Sequence, residues 1–255
     1  MTVTDVPLRQ SLDAGILTLT LDRPDKRNAL SGALVESLHA GLERADLDAE
    51  VRVVVLRGAG RDFCAGADLE ELLASAELTL AENEATALRL GALFTSMRRL
   101  PKPILAVVQG RALAGGAGLV TAADLAVAGM GAQLGYPEIQ RGFVPAMVMT
   151  LLRRAVGEKI ALDLVLTGRL LDAQHAQTAG LLARVVSDDD LDQESATLAE
   201  ALASTSPSAM AFTKQLFHEL DGRSLEEGLA LGARVNAVAR RTPEFHDAIS
   251  RFLRR

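Results

Sequence analysis

The sequence predicts an α/β protein, with a strand-and-helix core over residues 1–190 and a helical region over residues 191–255. Three observations carry that expectation. The β-branched and leucine-rich runs GILTLTL (15–21), VRVVVLRG (51–58) and ILAVV (104–108) each stop at polar residues or glycine, as short buried strands do. The order of elements is not a regular alternation of one strand and one helix, because several strands follow one another before a helix comes. From about Asp188 onward every segment has helical spacing and none has a strand pattern.

Taken in order, the first strand falls at 15–21, where apolar residues alternate with threonine. The polar turn Arg23 to Asn28 follows, and Ser31 suits a helix N-terminus because its hydroxyl can accept a free N–H. That helix carries an apolar stripe at Leu34, Val35, Leu38, Leu42 and Ala45. VRVVVLRG empties into Gly58 and Gly60, and the loop FCAGADL (63–69) leads to a short helix, LEELLAS, with Asp68 as its cap. A longer helix is expected from about 80 to 99, and PKP precedes the strand at 104–108. LAVAG (125–129) reads as a short strand, and LGYPEIQRGFVPA (134–146) as a loop-rich stretch holding Glu138. Pro145 fits a helix start, since its fixed φ is already helical. A helix from about Glu158 to Leu166 and the segment LDAQHAQTAG lead to the strand LLARVVS (181–187). In the last region Ser224 with Glu227 has capping-box spacing, and Thr242-Pro243 reads as a cap followed by proline at the first helical position.

Composition narrows the function classes. A net charge of −6 and an aromatic content of 3% without tryptophan argue against nucleic acid as a partner, for lack of positive charge and of stacking surface. Cys64 is the single cysteine, which excludes an intrachain disulfide and suits a reducing compartment. The N-terminus lacks a basic start followed by an apolar segment, and the small-residue run around 112–132 includes Asp124, so neither a secretory signal nor a membrane span is expected. Together these features point to a cytoplasmic protein. The four histidines (39, 175, 218 and 246) are scattered without ligand spacing, and no metal is expected.

The chemistry is concentrated in AVVQGRALAGGAGLVTAAD (106–124). A buried strand gives way to Gly115, Gly116 and Gly118 and then to a helix whose first turn is stripped of side chains. Such a start leaves backbone N–H groups unpaired at the positive end of the peptide dipole, where a negative charge is stabilised. Close backbone packing is the other use of such glycines. The second bare segment, FCAGADL, favours the first use, because two segments each bringing a free N–H to one spot make an oxyanion hole.

FCAGADL, GRALAGGAGLVTAADLAVA and LGYPEIQRGFVPA occur in the order and spacing of the crotonase superfamily, the enoyl-CoA hydratases and isomerases. ILTLTLDRPDKRNAL and the ending ISRFLRR resemble that family too, so the likeness spans nearly the whole chain. It implies a spiral of strand–strand–helix turns in two roughly perpendicular sheets, followed by a C-terminal helical region that assembles trimers or dimers of trimers. It implies an acyl-CoA thioester as substrate, with coenzyme A as part of that substrate and no separate cofactor. On the motif match the N–H groups of Ala67 and Gly115 are the oxyanion donors, and Glu138 is the acid–base carboxylate. The same match groups Arg23, Lys26, Arg27, the carbonyl of Ala65, Asp68, Lys214, Phe252 and Arg255 as residues that bind CoA.

The chain departs from the family at one place. The best-known hydratases carry a second Glu three positions after the oxyanion-hole glycine, and Gly118 stands there. A single Glu suffices to move a proton between carbons, as in the isomerases, yet the EIxxGFVPA-type segment also resembles hydratases of branched enoyl-CoA substrates, the methylglutaconyl type among them. The leading expectation is hydration of a 2-enoyl-CoA through a stabilised enolate, in fatty-acid or branched-chain acyl-CoA degradation. Double-bond migration by a lone Glu138 is the alternative, and a non-catalytic acyl-CoA-binding member is the second alternative. A glutamate introduced at Gly118 is expected to add a second carboxylate beside the same water, provided the helix start tolerates the larger side chain.

Overall fold

The computed structural model describes residues 6–254. It opens with an antiparallel pair, β1 (Leu8–Asp13) and β2 (Ile16–Leu21), joined at Ala14 and Gly15. Both joining residues have positive φ, as tight hairpin turns require. α1 (Gly32–Leu47) starts where Ser31 accepts the N–H of Leu34, and it buries the apolar stripe expected of it. β3 (Val53–Gly58) pairs parallel to β2. α2 (Leu69–Ala74) is capped by Asp68, and α3 (Leu80–Arg99) begins with a capping box between Thr79 and Glu82.

β4 (Ile104–Val108), β5 (Arg111–Leu113) and α4 (Gly115–Ala122) follow in quick succession, then β6 (Leu125–Gly129) and β7 (Gln133–Gly135). A 3-10 turn over Pro137–Arg141 leads to α5 (Ala146–Ala155) and α6 (Glu158–Thr167). β8 (Leu170–Asp172), α7 (Ala173–Thr178) and β9 (Arg184–Val186) complete the strand-bearing part. The chain ends in α8 (Leu191–Ala203), α9 (Pro207–Glu219), α10 (Leu225–Ala239) and α11 (Pro243–Leu253).

Two sheets result. The larger runs β1-β2-β3-β4-β6-β9 and is parallel except at the β1–β2 hairpin. The smaller runs β5-β7-β8, with β5 and β7 parallel and β8 antiparallel to β7. β3 and β4 are apolar at nearly every position because both faces of the large sheet are covered. Val54, Leu56, Ile104, Ala106 and Val108 face the main core, while Val55, Leu105 and Val107 face a smaller cluster with Val127, Leu191, Leu198 and Ala199.

That second cluster moves the expected boundary at residue 190. α8 lies inside the region read as tail, yet Leu191, Leu198 and Ala199 cover the back of the sheet, so the core continues through α8. Beyond it, Lys214 is the single buried residue of α9, and α10 and α11 bury none. Phe217, Leu225, Leu229, Val238, Phe252 and Leu253 stand exposed on these helices. No helix among the described residues is long and apolar enough to cross a membrane.

Candidate active site

The site is built by three chain segments that run side by side and leave their strands at the same edge. β5 and β7 are parallel, with Leu113 opposite Gly135, so their C-terminal ends open the same way. An isolated parallel bridge between Cys64 and Ala112 brings the FCAGADL loop alongside β5, and Leu113 N–H donates to Cys64 O at 2.9 Å. The continuations are therefore neighbours: Cys64 leads to Ala67, Leu113 to Gly115, and Gly135 to Glu138. Gly66, at φ +95, seats the loop against the start of α4, where a Cβ would lie 2.8 Å from Ala114 Cβ and 2.9 Å from Leu113 O.

The hydrogen bonds around this edge leave two particular donors free. Ala65 N–H donates to Arg27 O, Asp68 N–H donates to Leu30 O, and Gly66 O accepts from Leu30 N–H. Between them, Ala67 N–H has no acceptor among the described residues. On the other segment, Ala114 N–H donates to Gly135 O at 2.8 Å, and Gly118 N–H donates to Ala114 O. Gly115 opens α4 with its N–H unpaired, because a first-turn N–H has no carbonyl four residues back inside the helix. Ala114 itself sits at φ 51, in the left-handed region costly for a residue with a Cβ, and its bond to Gly135 holds it there.

Glu138 lies on the third segment, half-buried, one residue into the 3-10 turn. Its Oε2 is buried and has no hydrogen-bond partner among the described residues. Burial raises its carboxyl above the usual carboxylate range, and its own backbone N–H and then the positive charge of Arg141 offset only part of that. Two unpaired N–H donors and a carboxylate with a buried, unpartnered Oε2 thus share an edge of the fold. Such a combination can stabilise an oxyanion while a proton moves nearby.

Comparisons with known proteins place the chain in a family. The family model described as enoyl-CoA hydratase/isomerase matches residues 11–255. The chain belongs to the enoyl-CoA hydratase/isomerase family. A Thermus thermophilus relative, named as a candidate enoyl-CoA hydratase, is 43% identical over 237 residues, covering 93% of this chain and 94% of its own. The 2,3-dehydroadipyl-CoA hydratase of Escherichia coli is 36% identical, covering 94% of this chain and 92% of its own. A crystal structure of an enoyl-CoA hydratase from Mycobacterium smegmatis superposes with a TM-score of 0.94 at 34% identity, covering 97% of this chain and 96% of that one. The two-sheet α/β core with C-terminal helices is the crotonase fold of that family.

Within this family frame the expected CoA residues separate into two groups. The turn carrying Arg23, Lys26 and Arg27 is tied to the oxyanion loop. Arg23 donates to Ala29 O at 2.5 Å and pairs with Asp68 at 2.8 Å, where the guanidinium hydrogen bond is the main reason the Asp68 carboxyl lies below its usual range. Asp68 also caps α2, which is the role its sequence position suggested. Lys26 pairs with Glu70 at 2.7 Å on the surface, and the exposed Arg27 side chain makes no ion pair among the described residues. No described donor bonds to Ala65 O, so that carbonyl is available.

Lys214 corrects its expectation. Its ammonium is buried at the opposite end of β4 from the site, paired with Asp124 at 2.6 Å and donating to Met97 O and Lys102 O at 3.0 Å each. Asp124 also accepts the N–H of Ile104, the first residue of β4. Lys214 is a structural cation here, with its charge satisfied inside the fold. Phe252 stands exposed on α11, and Arg255 lies outside the described residues.

Gly118 has a reason that its sequence context did not reveal. A Cβ there would come within 2.6 Å of Val148 Cγ1 and 2.7 Å of Phe94 Cζ. The place where a second carboxylate would project is filled by apolar side chains from α3 and α5. The condition placed on a glutamate at Gly118, that the helix start tolerate the larger side chain, is not met by this packing. Phe94 and Val148 were missed because nothing local in their helices marks them as site neighbours. Buried Asn28 was missed too; it bonds to Arg23 N–H, Ala59 O and Asp62 O, pinning the turn of Arg23 to Arg27 to the loop after β3. Among the described residues no group of His, Cys, Asp or Glu gathers as a metal site.

Proposed function

We propose that this chain hydrates a 2-enoyl-CoA thioester with Glu138 as its single working carboxylate, in the breakdown of fatty or branched acyl chains. The observation that carries the reading is the shared edge described above, with the free N–H groups of Ala67 and Gly115 beside a buried, unpartnered Glu138. Glu138 accepts a proton from water as the water oxygen bonds to the β-carbon. The electron pair of the double bond moves onto the α-carbon and thioester oxygen, and the enolate oxygen sits against the two N–H groups. Glu138 then returns its proton to the α-carbon, completing the addition of one water molecule.

CoA recognition is assigned to Arg27 and Lys26 on the turn and to the carbonyl of Ala65. Arg23 and Asp68 support that turn from beneath. Phe252 and Arg255 act from the tail of the same or a neighbouring subunit. The exposed apolar residues of α9, α10 and α11 support assembly through the tail into trimers or dimers of trimers. Light scattering at micromolar concentration tests this, and a stable monomer would refute it.

Double-bond migration is the second reading, favoured by one observation. The apolar wall of Phe94 and Val148 leaves no second acid to help hold a water molecule. A panel of straight, branched and carboxylated 2- and 3-enoyl-CoA substrates, with hydration and migration followed separately, distinguishes the two. Hydration should dominate. Migration without detectable hydration would overturn the hydratase reading, and tight acyl-CoA binding without any turnover would make the chain a binding protein.

A further inference from the structure

Tyr136 is fully buried two residues before Glu138, and its hydroxyl lies 2.7 Å from Thr121 Oγ1 on α4. Thr121 Oγ1 also lies 2.7 Å from Ala117 O. A threonine hydroxyl has one proton, and the carbonyl can only accept it. The direction of the chain is therefore fixed: Tyr136 O–H donates to Thr121, and Thr121 O–H donates to Ala117 O. Neither hydroxyl has a proton to spare for a ligand. Burial pushes the Tyr136 hydroxyl further up from its ordinary value, so it remains a neutral donor.

The helix at the end of this chain is the one that begins with Gly115. Ala114 N–H to Gly135 O ties the Glu138 segment to the start of α4, and Tyr136 to Thr121 ties it a second time near the end of α4. Glu138 itself has no tether at Oε2, so its placement depends on the backbone that carries it. The segment's other bonds, from β7 to β5, from Phe143 N–H to Glu138 O and from Gln140 to Gly168 O, hold it to the small sheet and to its own loop. The two attachments to α4, one at each end of the helix, set its position relative to Gly115.

We propose that Tyr136 and Thr121 are positioning residues that hold Glu138 at a set distance from the oxyanion-binding N–H groups. The inference rests on Glu138 being the base of the proposed hydratase. Misplacing a reacting group by about 1 Å costs up to ~100-fold in rate, so losing one of two attachments should cost less than that.

The test uses Tyr136→Phe, Thr121→Val, Thr121→Ser and the Tyr136→Phe/Thr121→Val pair, with Glu138→Gln alongside, all on the 2-enoyl-CoA that the unmodified protein turns over best. Tyr136→Phe should stay folded by circular dichroism and lower kcat about 10-fold, with KM within about twofold. Thr121→Val should do the same, and the double variant should be no worse than Thr121→Val, since all three lose the Tyr136–Thr121 bond and the two Thr121 variants lose the same bond to Ala117 O. Thr121→Ser keeps the hydroxyl and should restore kcat. A Tyr136→Phe kcat within about twofold of wild type, or a kcat that falls only as far as the folded fraction, would overturn the inference. So would Thr121→Ser behaving like Thr121→Val. Turnover lost in Glu138→Gln beside an unaffected Tyr136→Phe defeats the positioning role alone. Turnover kept in Glu138→Gln defeats the base assignment and the inference with it.

Discussion

Glu138 shows at the level of one residue how a site is kept ready at a cost to the fold. Its carboxyl is pushed upward because burial disfavours the ionised form, and no neighbour bonds to Oε2. A folded-state value above the unfolded one means that its stabilising contribution is present below the unfolded value and is lost as pH rises through the folded value. Glu138→Gln removes that ionisation while keeping the shape. It should therefore show a higher Tm than wild type at neutral pH, with the gap closing in acid, when wild-type Glu138 takes up its proton. The same change removes the base, and kcat should fall about 1000-fold with thioester binding nearly intact. The acid limb of kcat/KM in the unmodified protein should lie above the ordinary glutamate value of about 4.3, because only the ionised form abstracts a proton. A limb at or below that value would mean that Glu138 is not the titrating base.

Among the elements, α4 carries the sharpest constraint. Gly115 must leave its N–H open, and Gly118 must leave room for Phe94 and Val148. Gly118→Glu forces a charged side chain into that apolar contact, and we expect about 3 kcal/mol or more of lost stability and no gain in hydration. Gly118→Ala is the milder probe, with about 1–3 kcal/mol of overpacking in denaturant unfolding. Stability equal to wild type in both would show that the wall yields. The glycines, the strand they follow and the capped helices α1, α2, α3, α10 and α11 were legible in the sequence because their signals are local. β5, β7 and β8 were not, since three residues such as RAL, QLG or LLD show no period. β1 was missed as well, because its polar residues face solvent at the edge of the sheet. Those short strands are what bring Gly115 and Glu138 to one edge, so the motifs named the candidate groups while their meeting point depended on long-range pairing.

On the scale of the whole molecule, Lys214 joins the last helices to the core. Lys214→Met keeps most of the volume and strands the Asp124 charge, and we expect about 3 kcal/mol of lost stability with KM for the thioester unchanged. A raised KM in a stable variant would return Lys214 to the CoA residues. Its burial was not legible because Asp124, Met97 and Lys102 lie far upstream, and an isolated lysine on an amphipathic helix looks like any surface cation. A last consequence comes from the turn that holds Arg23. Arg23 to Asp68, Arg27 O to Ala65 N–H and Leu30 to Gly66 and Asp68 make the turn and the oxyanion loop one hydrogen-bonded body. On the proposed binding mode, the handle of the substrate and its reacting carbonyl would pull on opposite ends of a lever whose fulcrum is that loop. Grip on the nucleotide would then be converted into alignment of Ala67 N–H, so cutting the handle off should slow the chemistry itself. A pantetheine thioester ought to lose kcat as well as affinity, by roughly 10-fold or more in kcat. Equal kcat for the truncated and full thioesters would show that the lever transmits nothing.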